Sequence, residues 1–316
     1  METTFDVERA LYSGRLDPAW LERPVFVCGL ARGGTSLVTR LLDGTGEFAS
    51  LRYRDMPAPL APNLWARLSS GNSRRVVGEQ RGHGDGLSHD LDTPEAIEEV
   101  FWRAFEGDRY IRPDHLKDAR PAEETLAAYK TLIGLCALRE GRGRYLAKNN
   151  NHVLRLGALA KAFPDVIFVH PFRAPSDHAA SLLRQHLQAC GRHREDDFSR
   201  RYARWLAHHE FGLDHRPLSF SKEGAVRDPM KIAYWQTYWE VVHAHLLGQP
   251  PEVAARQIFL DVDALRCGPA DVLASLSRKV GCASLDPGIV FQSGLVREAE
   301  SDIHAALVTR ARASVV

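Results

Sequence analysis

No stretch of this 316-residue sequence approaches the roughly 20 consecutive apolar residues that a membrane-crossing helix needs. The N-terminus, Met1 to Asp6, meets an acid at Glu2 and has no apolar core. No signal peptide is expected, and the expected location is the cytoplasm. Charge of one sign is missing too. Lys and Arg number 41 and Asp and Glu 40, for a net charge of +1. Bulk charge therefore selects neither nucleic acid nor a membrane surface as a partner. Cysteine is scarce: five residues, at 28, 136, 190, 267 and 282. None has Cys-x-x-Cys spacing, which speaks against a disulfide framework and a zinc knuckle. No repeat, low-complexity tract or domain boundary stands out. Residues 1–316 are read as one α/β unit, long enough to bury a full core. Nothing in them selects an oligomeric state. Arginine outnumbers lysine and alanine is common, which hints at a GC-rich bacterial genome.

What the chain does have is a glycine-rich turn between an apolar run and a helical one. Residues 24–36 read Pro-Val-Phe-Val-Cys-Gly-Leu-Ala-Arg-Gly-Gly-Thr-Ser, followed by Leu37 to Leu42. Strand, glycine turn and helix together form an anion cradle, because backbone N–H groups converge and the helix N-terminus adds partial positive charge. The spacing is nearly G-x-x-x-x-G-K-[ST]. Gly29, Gly34 and Ser36 fit it, but Thr35 replaces the lysine and the cation comes earlier, at Arg32. Without that lysine on the β/γ-phosphates, triphosphate chemistry is disfavoured.

A second unit spans 144–186. Tyr145 to Ala147 is a short strand ending at Lys148, and a helix is expected from near His152. Phe163-Pro164-Asp165 stops it, Val166 to Val169 is a strand, and Arg173-Ala174-Pro175 opens another helix. Strand, helix, strand, helix at this spacing is a parallel βαβ unit.

These two segments together resemble the sulfotransferases that use 3′-phosphoadenosine 5′-phosphosulfate (PAPS). Their 5′-phosphosulfate loop reads Pro-(Lys/Arg)-(Ser/Gly)-Gly-Thr-(Thr/Ser). Their 3′-phosphate segment has an arginine at a strand end and a serine on the next helix, matched here by Arg173 and Ser181. Lys148 with His152 resembles the Lys-x-Pro-x-His signature of bacterial members, with Asn150 in place of the proline. Ala174 replaces the usual acid or amide, and the family's Gly- and Lys-rich C-terminal loop is not evident. The resemblance implies a three-layer, P-loop-like α/β fold with a central parallel sheet of four or five strands and extra helices over the active-site side. It implies PAPS as sulfuryl donor, adenosine 3′,5′-bisphosphate as product and no metal. The acceptor would be a small molecule or glycan offering a hydroxyl or amine. Arg32, Gly33, Gly34, Thr35 and Ser36 would hold the 5′ end of the donor, and Arg173 and Ser181 the 3′-phosphate.

Catalysis would need cations on the transferring group and a base for the acceptor. Arg32 takes the first role, with Lys148 as a second cation or an ordinary exposed lysine. For the base, Asp55 and His83 come first and His152 next. Each has a plain alternative: a cap or ion pair with Arg52 or Arg54 for Asp55, turn chemistry for His83 and Asp85, and a helix N-terminal bond to backbone for His152. His83, Asp85, His89, Asp90 and Asp92 cluster, as do His208-His209 and His243-x-His245, but none has the i, i+4 spacing of a zinc pair on a helix. No metal is expected.

Around these motifs, 1–23 reads as leader helices with Leu11, Leu16 and Trp20 available for packing. The irregular stretch 52–93 reads as the acceptor-side wall. Helices are expected at 94–106, 121–139, 197–211 and 229–247, and 190–250 reads as a helical insertion or lid. A last strand and helix run over 256–281. Trp65, Tyr110, Trp235, Tyr238 and Trp239 could line a pocket but fit a core better. Two other readings remain open: a P-loop phosphotransferase acting on a small alcohol or nucleotide, and a nucleotide-binding module without catalysis.

Overall fold

A computed structural model describes residues 2–69, 79–80, 88–89, 93–94, 96–220, 228–290 and 298–313. Five strands form its central sheet: β1 (Val25–Val27), β2 (Phe48–Ala49), β3 (Arg144–Lys148), β4 (Ile167–Phe172) and β5 (Gln257–Asp261). The order is β2-β3-β1-β4-β5 and every pairing is parallel. Val27 stands opposite Lys148 on one side and Val169 on the other. The carboxyl ends of β1, β3 and β4 therefore lie side by side, at the place where the chain order reverses across β1, the usual ligand crevice of an open α/β sheet.

Both faces of the sheet are covered, and the strands' alternation shows how. Val25, Val27, Leu146, Val169, Ile258 and Leu260 pack to one side, against α2 (Thr35–Asp43), α11 (Val262–Cys267) and α12 (Pro269–Val280). Phe26, Cys28, Tyr145, Ala147, Phe168 and Phe259 face the other. There they meet α1 (Glu2–Tyr12), α4 (Glu99–Tyr110), α5 (Glu123–Glu140), α6 (Leu156–Ala162), α7 (Pro175–Glu195), α9 (Ile232–Leu247) and α13 (Asp302–Arg312). A period of two along each strand sends neighbours to opposite cores. Each fully buried Val, Leu or Phe side chain contributes about 1.5–3 kcal/mol. The result is the three-layer, P-loop-like α/β fold that the sequence points to. Of the remaining helices, the short α10 (Pro251–Ala254) adds Val253 to the second of these cores and α3 (Pro62–Ser69) packs Leu64 against it, whereas α8 (Asp197–Trp205) contributes to neither core. Among the described residues no helix is long and apolar enough to cross a membrane.

Four local expectations change. The 52–93 stretch is not irregular throughout, since it contains α3. Glu8 of α1 accepts from the Asn63 and Leu64 amides at 2.7 and 2.9 Å, so a distant carboxylate satisfies the α3 N-terminus. Along α1 the buried face is Phe5, Glu8 and Tyr12, while Leu11 is exposed. The helix expected from His152 begins instead as a 3-10 turn, Asn150–Leu154, because the Asn149 side chain caps the Asn151 amide; α6 starts only at Leu156. The helix expected over 197–211 ends at Trp205, and Ala207 follows in the left-handed region at φ 57°.

The 190–250 stretch divides in two. Trp235 and Trp239 of α9 are fully buried in the main core. By contrast α8 buries no residue and lies over the crevice.

Candidate functional site

The 29–36 loop leaves β1 and enters α2 under tight constraint. A Cβ on Gly33 would stand 2.8 Å from the Pro171 carbonyl oxygen of β4 and 3.1 Å from the His178 ring. Gly34 has φ 102°, and a Cβ there would meet Val262 at 2.8 Å. Only glycine allows the backbone this close to β4 and α11. Gly34 also offers no side-chain cap to α2, whose first turn brings Thr35 and Ser36 to the cleft. Arg32 is itself left-handed, at φ 68°. For a residue with a Cβ this costs of order 1–3 kcal/mol, which the surrounding packing must offset.

A buried strut holds the turn. His178 of α7 donates Nε2–H to the Ala31 carbonyl at 2.8 Å, and its Nδ1 accepts from the Trp239 indole at 3.1 Å. Those two partners fix the neutral tautomer. Burial first, and then the flanking Arg173 and Arg32 charges, bring the His178 pKa down to about 4.

Around the loop the structure gathers several of the expected residues. Arg32 Nε donates to Ser181 Oγ at 3.2 Å, which joins the loop to α7. Arg173, at the end of β4, lies 3.6 Å from Asp263, whose other oxygen accepts the Ala174 amide at 2.8 Å. The Arg173 Nε is buried and has no hydrogen-bond partner. Arg32, Thr35, Ser36 and Lys148 share the wall of one cleft of about 420 Å³. Its opposite wall comes from Gln185, Ala189, Arg192 and His193 of α7, Tyr202 of α8, and the bend Leu206 to Phe211. Tyr53 and Met56, from the start of the 52–93 stretch, close a third side, with the Tyr202 hydroxyl against the Met56 sulfur.

Two of the base candidates are elsewhere. Asp55 is buried in a short 3-10 turn; one oxygen accepts from the Arg52 amide at 2.7 Å and the other pairs with Arg139. Burial pushes its carboxyl upward against the pull of Arg139. It braces the end of α5 and does not border the cleft; the expected cap is present, on the Arg52 amide, but the ion pair is with Arg139 and not with Arg52 or Arg54. His152 lies under the sheet against Phe26, its Nε2 2.8 Å from Glu98. Burial alone would raise the Glu98 carboxyl, but His152, Tyr145 and Tyr129 outweigh it and hold the pKa at about 2. With no exposed atom, His152 touches no acceptor. His83, like Asp85, falls outside the described residues. Of the aromatic candidates, Tyr110, Trp235 and Trp239 are core, and Trp65 donates its indole N–H to the Arg54 carbonyl at 2.7 Å.

The sequence reading missed Glu210, His208 and Arg192 as cleft residues. They follow from where α8 stops and how the bend after Ala207 returns to the loop, which no local motif announces.

The loop geometry gives a direct prediction. Gly34→Ala should lower stability by about 1–3 kcal/mol in urea unfolding, from the left-handed φ and the Val262 contact. Adding Val262→Ala should return the contact part and leave the φ part. Unchanged stability in Gly34→Ala would mean that the turn is looser than described.

A family model described as "Sulfotransferase family" matches residues 24–234. No curated protein sequence matches the chain. Among solved structures, sulfotransferase STF1 from Mycobacterium tuberculosis H37Rv is 14% identical with a TM-score of 0.47, over 96% of this chain and 75% of that one. Sulfotransferase STF9 from Mycobacterium avium is 14% identical with a TM-score of 0.48, over 96% and 71%. A sulfotransferase from Alicyclobacillus acidocaldarius is 12% identical with a TM-score of 0.39, over 93% and 96%. These likenesses are too distant to carry weight beside the family match. That match runs from β1 and its loop through the unit bearing Arg173 and Ser181 to the start of α9, more than half of the sequence, and on it the chain belongs to the sulfotransferase family.

Proposed function

We propose that the chain transfers a sulfuryl group from PAPS to a hydroxyl or amine of a small-molecule or glycan acceptor. The observation that carries this reading is the Arg32–Ser181 contact across the glycine turn. It sets the loop cation expected at the donor's 5′ end beside the serine expected at its 3′-phosphate. The donor set also suits a molecule with two anionic ends. It consists of cations (Arg32, Lys148, Arg173), hydroxyls (Thr35, Ser36, Ser181) and a glycine turn with no space for a Cβ. When bound, the donor supplies an activated sulfuryl group on a phosphate leaving group. Arg32 and the first-turn amides of α2 would then neutralise charge that develops on the leaving oxygen. Lys148 would do the same from the end of β3. Arg173, whose Nε lacks a hydrogen-bond partner, would hold the 3′-phosphate with Ser181. Tyr53, Met56, Tyr202 and Leu206 would hold the acceptor on the other side of the cleft and keep water from it.

The test is ligand preference. Adenosine 3′,5′-bisphosphate should bind more tightly than adenosine 5′-monophosphate by about 1.5–3 kcal/mol, the worth of one charge-assisted bond to the added phosphate. Arg173→Ala should erase most of that preference in calorimetric titrations and leave the monophosphate unchanged. Equal losses for the two ligands would make Arg173 structural. Stronger thermal stabilisation by ATP–Mg than by the bisphosphate would overturn the reading in favour of phosphoryl transfer.

A further inference from the structure

Transfer to a hydroxyl needs a proton acceptor within hydrogen-bond reach of the attacking oxygen. The polar side chains around the cleft differ in what they can accept. His193 lines it, but its Nδ1 accepts the Leu213 amide at 3.3 Å. In the neutral ring Nε2 then carries the proton and donates. His208 sends Nε2–H to the Ala96 carbonyl at 2.8 Å, which holds it on the Ala96–Ile97 side of the cleft. Arg192 and Lys148 are cations. Glu210 differs from all of these. It borders both the main cleft and a small adjoining cavity lined by Gly29, Leu30 and Ala31. Its Oε1 accepts from Asn150 Nδ2 at 3.3 Å, and Asn150 is two residues beyond Lys148 at the carboxyl end of β3. The carboxylate is thus held between the glycine turn and the strand end that brings in Lys148. An ionised carboxylate only accepts hydrogen bonds. Beside an anionic ligand it is repelled, unless it takes up a proton as the reaction proceeds.

We propose that Glu210 is the general base that removes the acceptor's proton, with Asn150 as its positioning residue. The assignment rests on the sulfuryl-transfer reading above. In the step, a lone pair on the acceptor oxygen forms the new S–O bond. The bond from sulfur to the bridging phosphate oxygen breaks, and its electron pair stays on the phosphate. The acceptor proton moves to Glu210, whose neutral carboxyl group gives it to solvent once the product leaves. No oxidant, reductant or metal enters the balance.

Wild type, Glu210→Gln and His208→Ala are titrated with adenosine 3′,5′-bisphosphate by calorimetry. The same proteins are then assayed for release of that bisphosphate from PAPS with two nucleophiles at pH 8.5. One is 2-phenylethanol, which must lose a proton. The other is 4-nitrophenolate, which has none to lose. All three proteins should bind the bisphosphate within about twofold of one another. Glu210→Gln should slow release with the alcohol by about 10²–10⁴-fold and release with the phenolate by less than about threefold. Equal losses with both nucleophiles would overturn the assignment, making Glu210 structural. A nucleophile-dependent loss in His208→Ala in place of Glu210→Gln would overturn it as well, as would bisphosphate binding with no release from PAPS in wild type. If wild type does not bind the bisphosphate, the sulfuryl-transfer reading itself fails and the base assignment falls with it.

Discussion

Arg155→Leu is expected to cost the fold about 3–5 kcal/mol, the penalty for leaving a buried charge without its partner. Arg155 is 1% exposed. It donates Nη1 to Glu99 Oε2 at 3.0 Å and Nη2 to Oε1 at 2.6 Å, while its guanidinium lies 4.5 Å from the Trp102 ring and 4.8 Å from that of Tyr110. Burial alone would raise the Glu99 carboxyl, but the Arg155 charge outweighs it, helped by Tyr110 and Asn149, and holds the pKa below the usual range. Without Arg155, the Tyr110 hydroxyl at 2.5 Å and the Asn149 amide at 2.7 Å remain, and neither is a charge. Burial would then raise the Glu99 carboxyl above its unfolded value. The variant's deficit relative to wild type should therefore shrink as pH falls and Glu99 is protonated. Urea unfolding at several pH values from 8 down to 6.5, above the acid transition of the histidines, reads both effects. Arg155→Leu combined with Glu99→Leu should recover much of the loss, because the stranded charge is gone. A single-variant cost under about 1 kcal/mol would mean that water reaches Glu99.

Asn149 ties this buried cluster to the crevice. Its side chain serves Glu99 and caps the Asn151 amide, and its own amide bonds the Val27 carbonyl of β1. Lys148 and Asn150, which border the cleft, lie on either side of it. The strand end bearing both is thus anchored from beneath by charges that the cleft never sees.

Several parts of this arrangement are legible in the sequence for local reasons. β1, β4 and β5 are short apolar runs bounded by turn residues, and glycines that a tight turn requires mark the loop. Arg173 and Ser181 sit at a fixed distance from a strand end. Asp55 and His152 fit the look of a site equally well, because a carboxylate after a strand and a histidine after a lysine are what a base resembles. What decides against them lies far along the chain: Arg139, 84 residues from Asp55, and Glu98, which takes up the His152 ring. The start of α3 likewise depends on Glu8, 55 residues before Asn63. Glu210 has no motif at all. It reaches the cleft because α8 stops at Trp205 and Ala207 turns left-handed, and nothing in residues 197–211 distinguishes that stop from a helix continuing to Phe211. Periodicity and turn chemistry are local signals, whereas the fate of an ionisable side chain is decided by whichever partner the fold brings to it.

Five histidines, four of them buried and His215 half-buried, should make the protein collapse in mild acid. Burial is the main cause in each: it lowers the pKa to about 4 for His170, His178, His186 and His215, and to about 3 for His243. The bonds of His170, His178 and His186 require the neutral form, because in each a ring nitrogen accepts from an N–H. The His170 ring, for example, donates Nδ1–H to the Cys28 carbonyl at 2.9 Å and accepts from Gln257 at 3.2 Å. Two pairs also face each other, His178 with His243 at 6.2 Å between rings and His186 with His215 at 5.3 Å, so a second proton would meet the charge of the first. Unfolded, each histidine binds its proton near pH 6.5. The unfolded state therefore takes up protons first, and stability is lost as pH falls from about 6.5 toward 4, by up to about 1.4 kcal/mol per pH unit for each histidine. Five acting together would exhaust a total stability of about 5–15 kcal/mol within a unit or two of pH. Glu98, held at about 2, is a depressed carboxyl whose contribution is lost only as pH falls below its unfolded range near 4.5. A transition above that range therefore belongs to the histidines. Circular dichroism against pH should show cooperative unfolding between about pH 6 and 4.5, with about five protons or more taken up, since burial also lowers His193, His209, His245 and His304. His243→Gln, which keeps a donor for the Trp239 carbonyl, should reduce the uptake by about one proton and move the midpoint to lower pH. A fold that survives unchanged to pH 4 would mean that these rings admit protons, and that the core beneath the loop is wetter than its packing indicates.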